Sequence, residues 1–194
     1  MADEQGGDLR ILARETLSDD WFRLERIRFS QGGKEGKREV YHNGTGAAVL
    51  PYDPGRGTVL LVRQPRIPAL VNGDGPLLVE ACAGMVEGDD YPVDTALREA
   101  REEMGYRLRA LRRLFTLYPS PGSSAERLHL FAAEYAPEDR IAEGGGLEAE
   151  GERIEVLELP LAAAWDMVER GAIIDAKTVL LLQQARMRHD LISR

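Results

Sequence analysis

Apolar residues change rhythm along this chain, and the changes mark its elements. From Arg10 to Leu17 and from Trp21 to Phe29 they are spaced through a charged background, as Trp21, Phe22, Leu24, Ile27 and Phe29 show. That spacing predicts short strands. GGKEGK (32–37) reads as a turn and Arg38 to His42 as a further strand. Ala47 to Leu50 and Thr58 to Val62 are strands of nearly unbroken apolar character, parted by the turn signal DPGRG. PALVNGDGP (68–76) predicts a loop, and Leu77 to Ala81 a short strand. Val93, Leu97, Ala100 and Met104 then recur at helical spacing, so 93–104 is an amphipathic helix stopped by Gly105.

The second half continues with strands over Leu108 to Tyr118 and Arg127 to Tyr135, parted by the loop PSPGSSAE. A polar, glycine-rich loop covers Ala142 to Arg153, and Ile154 to Leu159 is a strand. Pro160 opens a helix to Arg170, and Asp175 starts a last helix that reaches about Ile192. Strands dominate the first half and helices the second, with no internal repeat, so one α+β domain is the economical reading. The two N-terminal segments read either as a hairpin-like unit set apart or as the first strands of a single sheet.

Composition narrows the function classes. A chain of 194 residues fits one domain with a small appended element. A hydrophobic content of 43% supports a core, and 30% charged residues argue against global disorder. The net charge of −8 and pI near 5.0 argue against a nucleic acid or an anionic membrane as partner. They allow a phosphorylated small molecule, because a divalent cation screens one anion from another. With one cysteine, Cys82, no intramolecular disulfide is possible, and a cytoplasmic location is expected. The N-terminus has no apolar signal-peptide region, and no apolar run approaches a membrane span.

The chemistry concentrates in REAREEMGY (98–106). Glu99 and Glu103 are four residues apart and Glu99 and Glu102 three, so all share one helix face. Crowded carboxylates repel, and a hard cation such as Mg²⁺ relieves that by taking oxygen ligands. Arg98 is spaced to pair with Glu102, and Gly84 reads as the point where a strand turns sharply into a loop. The bland alternative is an amphipathic helix with a solvated acidic face.

Gly84, Asp90 and Arg98-Glu99-Ala100-Arg101-Glu102-Glu103-Met104-Gly105-Tyr106 together resemble the Nudix box: Gly, five residues, Glu, seven residues, Arg-Glu, an apolar residue, any residue, Glu-Glu, any residue, Gly and an apolar residue. A chance match of this length is on the order of one in ten thousand or rarer. Asp90 departs from the pattern, standing where the family has its first Glu. The resemblance implies an α/β/α sandwich with a mixed sheet and an N-terminal strand subdomain, and an enzyme that hydrolyses a nucleoside diphosphate linked to another moiety. It also implies a domain arrangement of N-terminal strands over 1–43 and a hydrolase domain over 44–194. Glu99, Glu103 and the Ala83 carbonyl would hold Mg²⁺ or Mn²⁺ with help from Glu102, and Arg98 would orient the glutamates.

The flanks resemble the ADP-ribose pyrophosphatase group in Glu80-Ala-Cys-Ala-Gly84 and in Ser120-Pro121-Gly122 followed by Glu126. They resemble the GDP-mannose hydrolase branch more closely, in the Lys37 to Tyr41 strand, Arg63-Gln64-x-Arg66, the glycines 144–146, IEVLELP and the Lys177 to Leu182 helix. That branch implies splitting of GDP-mannose into GMP and mannose 1-phosphate. The rival substrate is ADP-ribose, giving AMP and ribose 5-phosphate, and the rival class is a non-catalytic nucleotide-sugar sensor. Substrate contacts would fall at Trp21, Arg38, Glu39, Arg66, Gly84, Met85, Glu126 and Lys177. Trp21 suits stacking on a purine and equally suits a half-buried core position. An acid before the IEV strand would complete the metal site and serve catalysis: Glu152, with Glu150 second and Glu148 a further competitor. The family also implies a homodimer with exchanged N-terminal strands. Cys82 reads as a buried small side chain rather than a nucleophile, and His42, His129 and His189 lack metal-site spacing.

Overall fold

A computed structural model of the chain describes residues 8–147, 151 and 153–187. The chain folds as two compact units, Met1–Thr45 with Tyr118–Arg127, and Gly46–Leu117 with Leu128–Arg194.

The first unit carries a three-stranded antiparallel sheet of β1 (Arg10–Ser18), β2 (Arg23–Gln31) and β3 (Lys34–His42), in that order. The N-terminal strands thus form their own sheet, which settles the alternative left open by the sequence. GGKEGK is a turn only at Gly32 and Gly33, both at positive φ, and Lys34 already belongs to β3. The strand pairing extends into it because Gly36 faces Phe29 and leaves room for its ring. Within this unit the loop after Tyr118 is stitched to β3. Tyr41 donates to the Ser123 carbonyl at 2.9 Å, and Ala125 donates back to the Tyr41 carbonyl at 2.9 Å.

The second unit is built on a seven-stranded sheet. Its strands are β4 (Thr45–Asp53), β5 (Thr58–Pro65), β6 (Leu77–Glu80), β7 (Cys82–Met85), β8 (Arg112–Leu117), β9 (Arg127–Glu134) and β10 (Glu155–Pro160). The path runs β10-β5-β4-β9-β8. β4 and β5 register with each other only at their hairpin end, Tyr52 with Val59 and Asp53 with Thr58. Beyond it the 77–85 segment inserts, β6 pairing with β5 and β7 with β4.

Alternation along the apolar strands decides where the helices go. Ala48, Leu50, Val59 and Leu61 enter one core cluster, with Leu181 and Leu182 of α4 (Ala176–Met187) and Leu161 and Ala164 of α3 (Leu161–Glu169). Ala47, Val49, Leu60 and Val62 enter the other, with Ala96 and Ala100 of α2 (Pro92–Glu102). A strand's side chains alternate in direction, so a sheet covered by helices on both faces needs apolar residues at consecutive positions. That is why GAAVL and TVLLV read as unbroken runs. The result is a mixed α/β sandwich.

Two expectations are corrected. Residues 68–76 are not all loop: α1 (Ile67–Asn72) forms there, with Pro68 in its first turn and Gly73 at φ 85 closing it. Both residues sit where a short helix tolerates them. Gly84 does not open a turn but lies inside β7, opposite Ala47.

Candidate active site

α2 starts with Pro92 in its first turn, where the missing N–H costs nothing, and carries Asp94 near its positive end. Its apolar residues Ala96 and Ala100, and Met104 just past its end, are fully buried. That packing fixes the helix rotation and turns Glu99 and Glu103 inward against β7. Both carboxylates are buried, Glu103 to 2% exposure, whereas Glu102 keeps partial exposure. Burial at that level removes the solvated-helix reading for Glu99 and Glu103.

Arg98 binds two of the acids at once: Nη2 to Glu99 at 2.8 Å and Nη1 to Glu102 at 2.8 Å. Burial pushes the Arg98 guanidinium toward neutrality, but the charges of Glu99, Glu102 and Glu87 outweigh it and raise its pKa. Glu87 was not singled out from the sequence, although it stands in the loop just before Asp90. Asp90 itself is exposed, in the turn before α2.

Glu103 accepts from the Ala83 N–H at 3.3 Å and from the Cys82 thiol. Cys82 is fully buried, and burial together with the charges of Glu103 and Glu99 pushes its thiol pKa well above the ordinary range. It stays a protonated, inert group, as its sequence context suggested. Gly84 is a glycine because a Cβ there would overlap the Glu99 carboxyl.

The cations lie around a group that the sequence presented only as the start of a motif. Glu80, 2% exposed, accepts a two-pronged pair from Arg66, Nε to Oε1 at 2.7 Å and Nη2 to Oε2 at 3.1 Å. Its Oε2 also accepts from Lys177 at 2.6 Å, and Lys177 lies 3.1 Å from Asp175. Burial pushes the Glu80 carboxyl up, but Arg66 and Lys177 more than reverse this and hold it below the ordinary carboxylate value. For Arg66, burial is likewise outweighed by Glu80, Glu103 and Asp175, and its pKa rises.

Glycines 144–146 dock on the end of α2. Gly145 and Gly146 donate to the carbonyls of Glu103 at 2.8 Å and Glu102 at 3.2 Å. All three have positive φ, a conformation that side chains resist. This part of the loop is a cap for the helix carbonyls rather than a free flap. Glu148, Glu150 and Glu152 lie outside the described residues.

In the first unit, Trp21 is 86% exposed and meets Phe22 edge to face at 6.0 Å. The half-buried core reading of Trp21 is therefore wrong. Arg38 lies over the Phe29 ring and donates to the Lys37 carbonyl, while Glu39 faces Arg26 at 3.4 Å. Glu126 accepts from Asn43 at 2.8 Å, a partner that sequence spacing could not single out.

Among the described residues, no three acidic, histidine or cysteine side chains close into a metal cluster by themselves. The expected convergence of Glu99, Glu102 and Glu103 is thus partial. Arg98 draws Glu102 to itself, and Glu103 is turned onto β7. The donor chemistry still fits a hard divalent cation. Two buried carboxylates stand one helical turn apart, against a strand whose side chain at Gly84 has been removed to admit one of them.

The NUDIX domain family matches residues 42–182, and the chain belongs to that family. It is 46% identical over 188 residues to the GDP-mannose pyrophosphatase of Cronobacter sakazakii, covering 93% of this chain and 96% of the relative. The corresponding protein of Pectobacterium atrosepticum is 47% identical over 185 residues (92% and 94%), and that of Escherichia coli O157:H7 is 43% identical over 187 (93% and 96%). Among solved structures, an ADP compounds hydrolase superposes with a TM-score of 0.76 over 94% of this chain and 95% of that one. At 21% identity that likeness bears on the fold alone. Nudix hydrolases generally use divalent metal ions.

Proposed function

We propose that this Nudix hydrolase splits the pyrophosphate of GDP-mannose, giving GMP and mannose 1-phosphate, with Mg²⁺ as the metal. The observation that carries the reading is the pair of buried glutamates, Glu99 and Glu103, in the box of a chain whose relatives named GDP-mannose pyrophosphatase match it nearly end to end.

Glu99 and Glu103 would hold the metal, with the Ala83 carbonyl, Glu102 and an acid of the 148–152 segment completing its shell. When bound, the metal screens the pyrophosphate charge and supplies an activated water. Arg98 orients Glu99 and Glu102 through its two ion pairs. The loop acid, Glu152 before Glu150, takes the proton of the attacking water. Gly84 and Met85 contact the substrate. Arg66 and Lys177 bind the diphosphate and the sugar, Arg66 through the outer end of its guanidinium, since its Nε edge is spent on Glu80. Trp21 stacks on the purine, while Arg38, Glu39 and Glu126 contact the rest of the nucleotide sugar.

The 1–43 segment serves dimerisation as well as binding. Its β1 leaves Leu9, Ile11 and Leu12 exposed beside and along the edge strand, which suits exchange with a second copy. We place the enzyme in the cytoplasm on its single, reduced cysteine. No helix among the described residues is long and apolar enough to cross a membrane.

A product assay over GDP-mannose, ADP-ribose and other nucleotide sugars, with and without Mg²⁺, tests this. Turnover of GDP-mannose above the others supports it, preference for ADP-ribose replaces the substrate, and no turnover of any ends the enzyme reading. Light scattering tests the dimer; a fully active monomer would refute it.

A further inference from the structure

Glu80 has no place in the chemistry described so far, yet it is a buried charge held by two cations. It is joined by Arg66 just after β5 and by Lys177 in the first turn of α4, residues far apart in sequence. A cation in the first turn of a helix is opposed by the helix dipole, so stability alone would not place Lys177 there. Two acids hold it against that opposition, Glu80 and Asp175.

The anchoring goes further than the ion pairs. Asp175 accepts from both the N–H of Thr178 at 3.0 Å and its hydroxyl. The buried Thr178 oxygen accepts in turn from the N–H of Ala81, the residue beside Glu80. The strand that carries Glu80 and the helix that carries Lys177 are therefore tied at two adjacent points. Within the cluster Glu80 and Asp175 face Arg66 and Lys177, two acids against two bases, and Glu103 adds a further negative charge acting on Arg66 from nearby. Buried ion pairs of this kind add little net stability over apolar packing, but they fix geometry.

We propose that Glu80 is a positioning residue for substrate binding: one buried carboxylate presents Arg66 and Lys177 together, in a fixed relation, to the nucleotide sugar. This rests on the reading that Arg66 and Lys177 contact substrate. Glu80 satisfies the Nε edge of Arg66 and, together with Asp175, two of the three N–H groups of Lys177, which leaves the outer guanidinium donors of Arg66 and one N–H of Lys177 for a ligand. Because those contacts form in the ground state as well as the transition state, Glu80 acts mainly on KM.

The test compares wild type, Glu80→Gln, Glu80→Asp, Arg66→Ala and the double variant Glu80→Gln with Arg66→Ala. Each is assayed for GDP-mannose turnover, with a circular dichroism melt confirming a folded protein at the assay temperature. Glu80→Gln is expected to raise KM by about 10- to 100-fold, the size of a lost charge-assisted hydrogen bond, with kcat within about 3-fold. Glu80→Asp recovers part of the loss. In the Arg66→Ala background, Glu80→Gln costs within about 3-fold, because the group it positions is gone. Unchanged KM in Glu80→Gln overturns the proposal, and so does an equal loss in both backgrounds, which marks a merely structural role. A wild type that splits no nucleotide sugar sinks the proposed function and this inference with it, whereas an active wild type with an indifferent Glu80 sinks this inference alone.

Discussion

The carboxyl of Glu99 occupies the space that a side chain at position 84 would need. That relationship is one of several contacts between helix α2 and strand β7, and it makes the first glycine of the box a steric requirement rather than a turn signal. Gly84 has no positive φ, so the backbone itself would accept any residue. Gly84→Ala is therefore expected to displace Glu99 while keeping the fold. Overpacking of this kind costs about 1–3 kcal/mol. The expected outcome is a small fall in Tm with a fall in kcat of about 10- to 100-fold, partly recovered at raised metal concentration. Unaltered kcat would show that Glu99 can move without consequence.

Glu103 is buried and accepts from Ala83 and Cys82. Glu103→Gln keeps its shape and one acceptor oxygen, so the protein should remain folded. It removes a negative charge that the metal needs, and turnover is expected to fall by at least about 100-fold. Calorimetric titration of Mg²⁺ should show weakened binding in parallel. Full turnover in this variant would refute the ligand assignment.

Trp21 offers a contrast, because its exposure separates function from stability. A side chain that meets solvent over 86% of its surface contributes little to folding. Trp21→Ala should shift stability by no more than about 0.5 kcal/mol. If the ring stacks on a purine, the same change raises KM for GDP-mannose by about 10-fold. A loss of stability with no change in KM would reverse the assignment.

Acid should expose the Glu80 cluster. Its carboxyl pKa is lowered from the ordinary 4.5 on folding, so its contribution to stability is present above about pH 4.5 and fades as pH falls through the folded value. At pH 7, Glu80→Gln should cost about 1–3 kcal/mol. Urea unfolding of wild type and Glu80→Gln across pH 7 to pH 3 should show the two curves converging at the acid end. A gap that stays constant with pH would mean that the carboxylate charge is not what stabilises the cluster.

The parts of this protein that could be read from sequence are those whose signal is local. The apolar runs at 47–50 and 58–62 announced strands, and the box spacing put Glu99 and Glu103 on one helix side. Helix α1 was missed because Pro68, Asn72 and Gly73 each favour a turn, and only their order along one short segment makes a helix of them. Gly84 was misread because its neighbour Glu99 is distant along the chain. Glu80 passed as a motif letter for the same reason: its meaning comes from Arg66 and Lys177, which only the folded sheet brings to it. Asn43 beside Glu126 is a further case of a partner set by tertiary structure.

The glycines at 144–146 join local and distant effects, and they give the last prediction. Gly144 has φ 78, and a Cβ there would stand 2.5 Å from the Glu103 carbonyl oxygen. An alanine is thus penalised twice, by backbone strain and by collision with the end of α2. Neighbouring Gly145 donates to that same carbonyl, so lifting the segment would also uncap the helix at its proposed metal-binding residue. The segment leads directly into residues 148–152, where Glu150 and Glu152 compete for the role of loop acid. Gly144→Ala should therefore lower stability by about 2–4 kcal/mol and lower kcat beyond what the loss of folded protein explains. Gly151→Ala serves as the control: it too has positive φ, 72, but no atom of the other described residues crowds its missing Cβ. It should carry only the strain, about 1 kcal/mol, and leave the α2 cap intact. Equal losses in the two variants, followed by thermal unfolding and by turnover per folded molecule, would show that backbone strain alone, and not contact with Glu103, is what position 144 contributes.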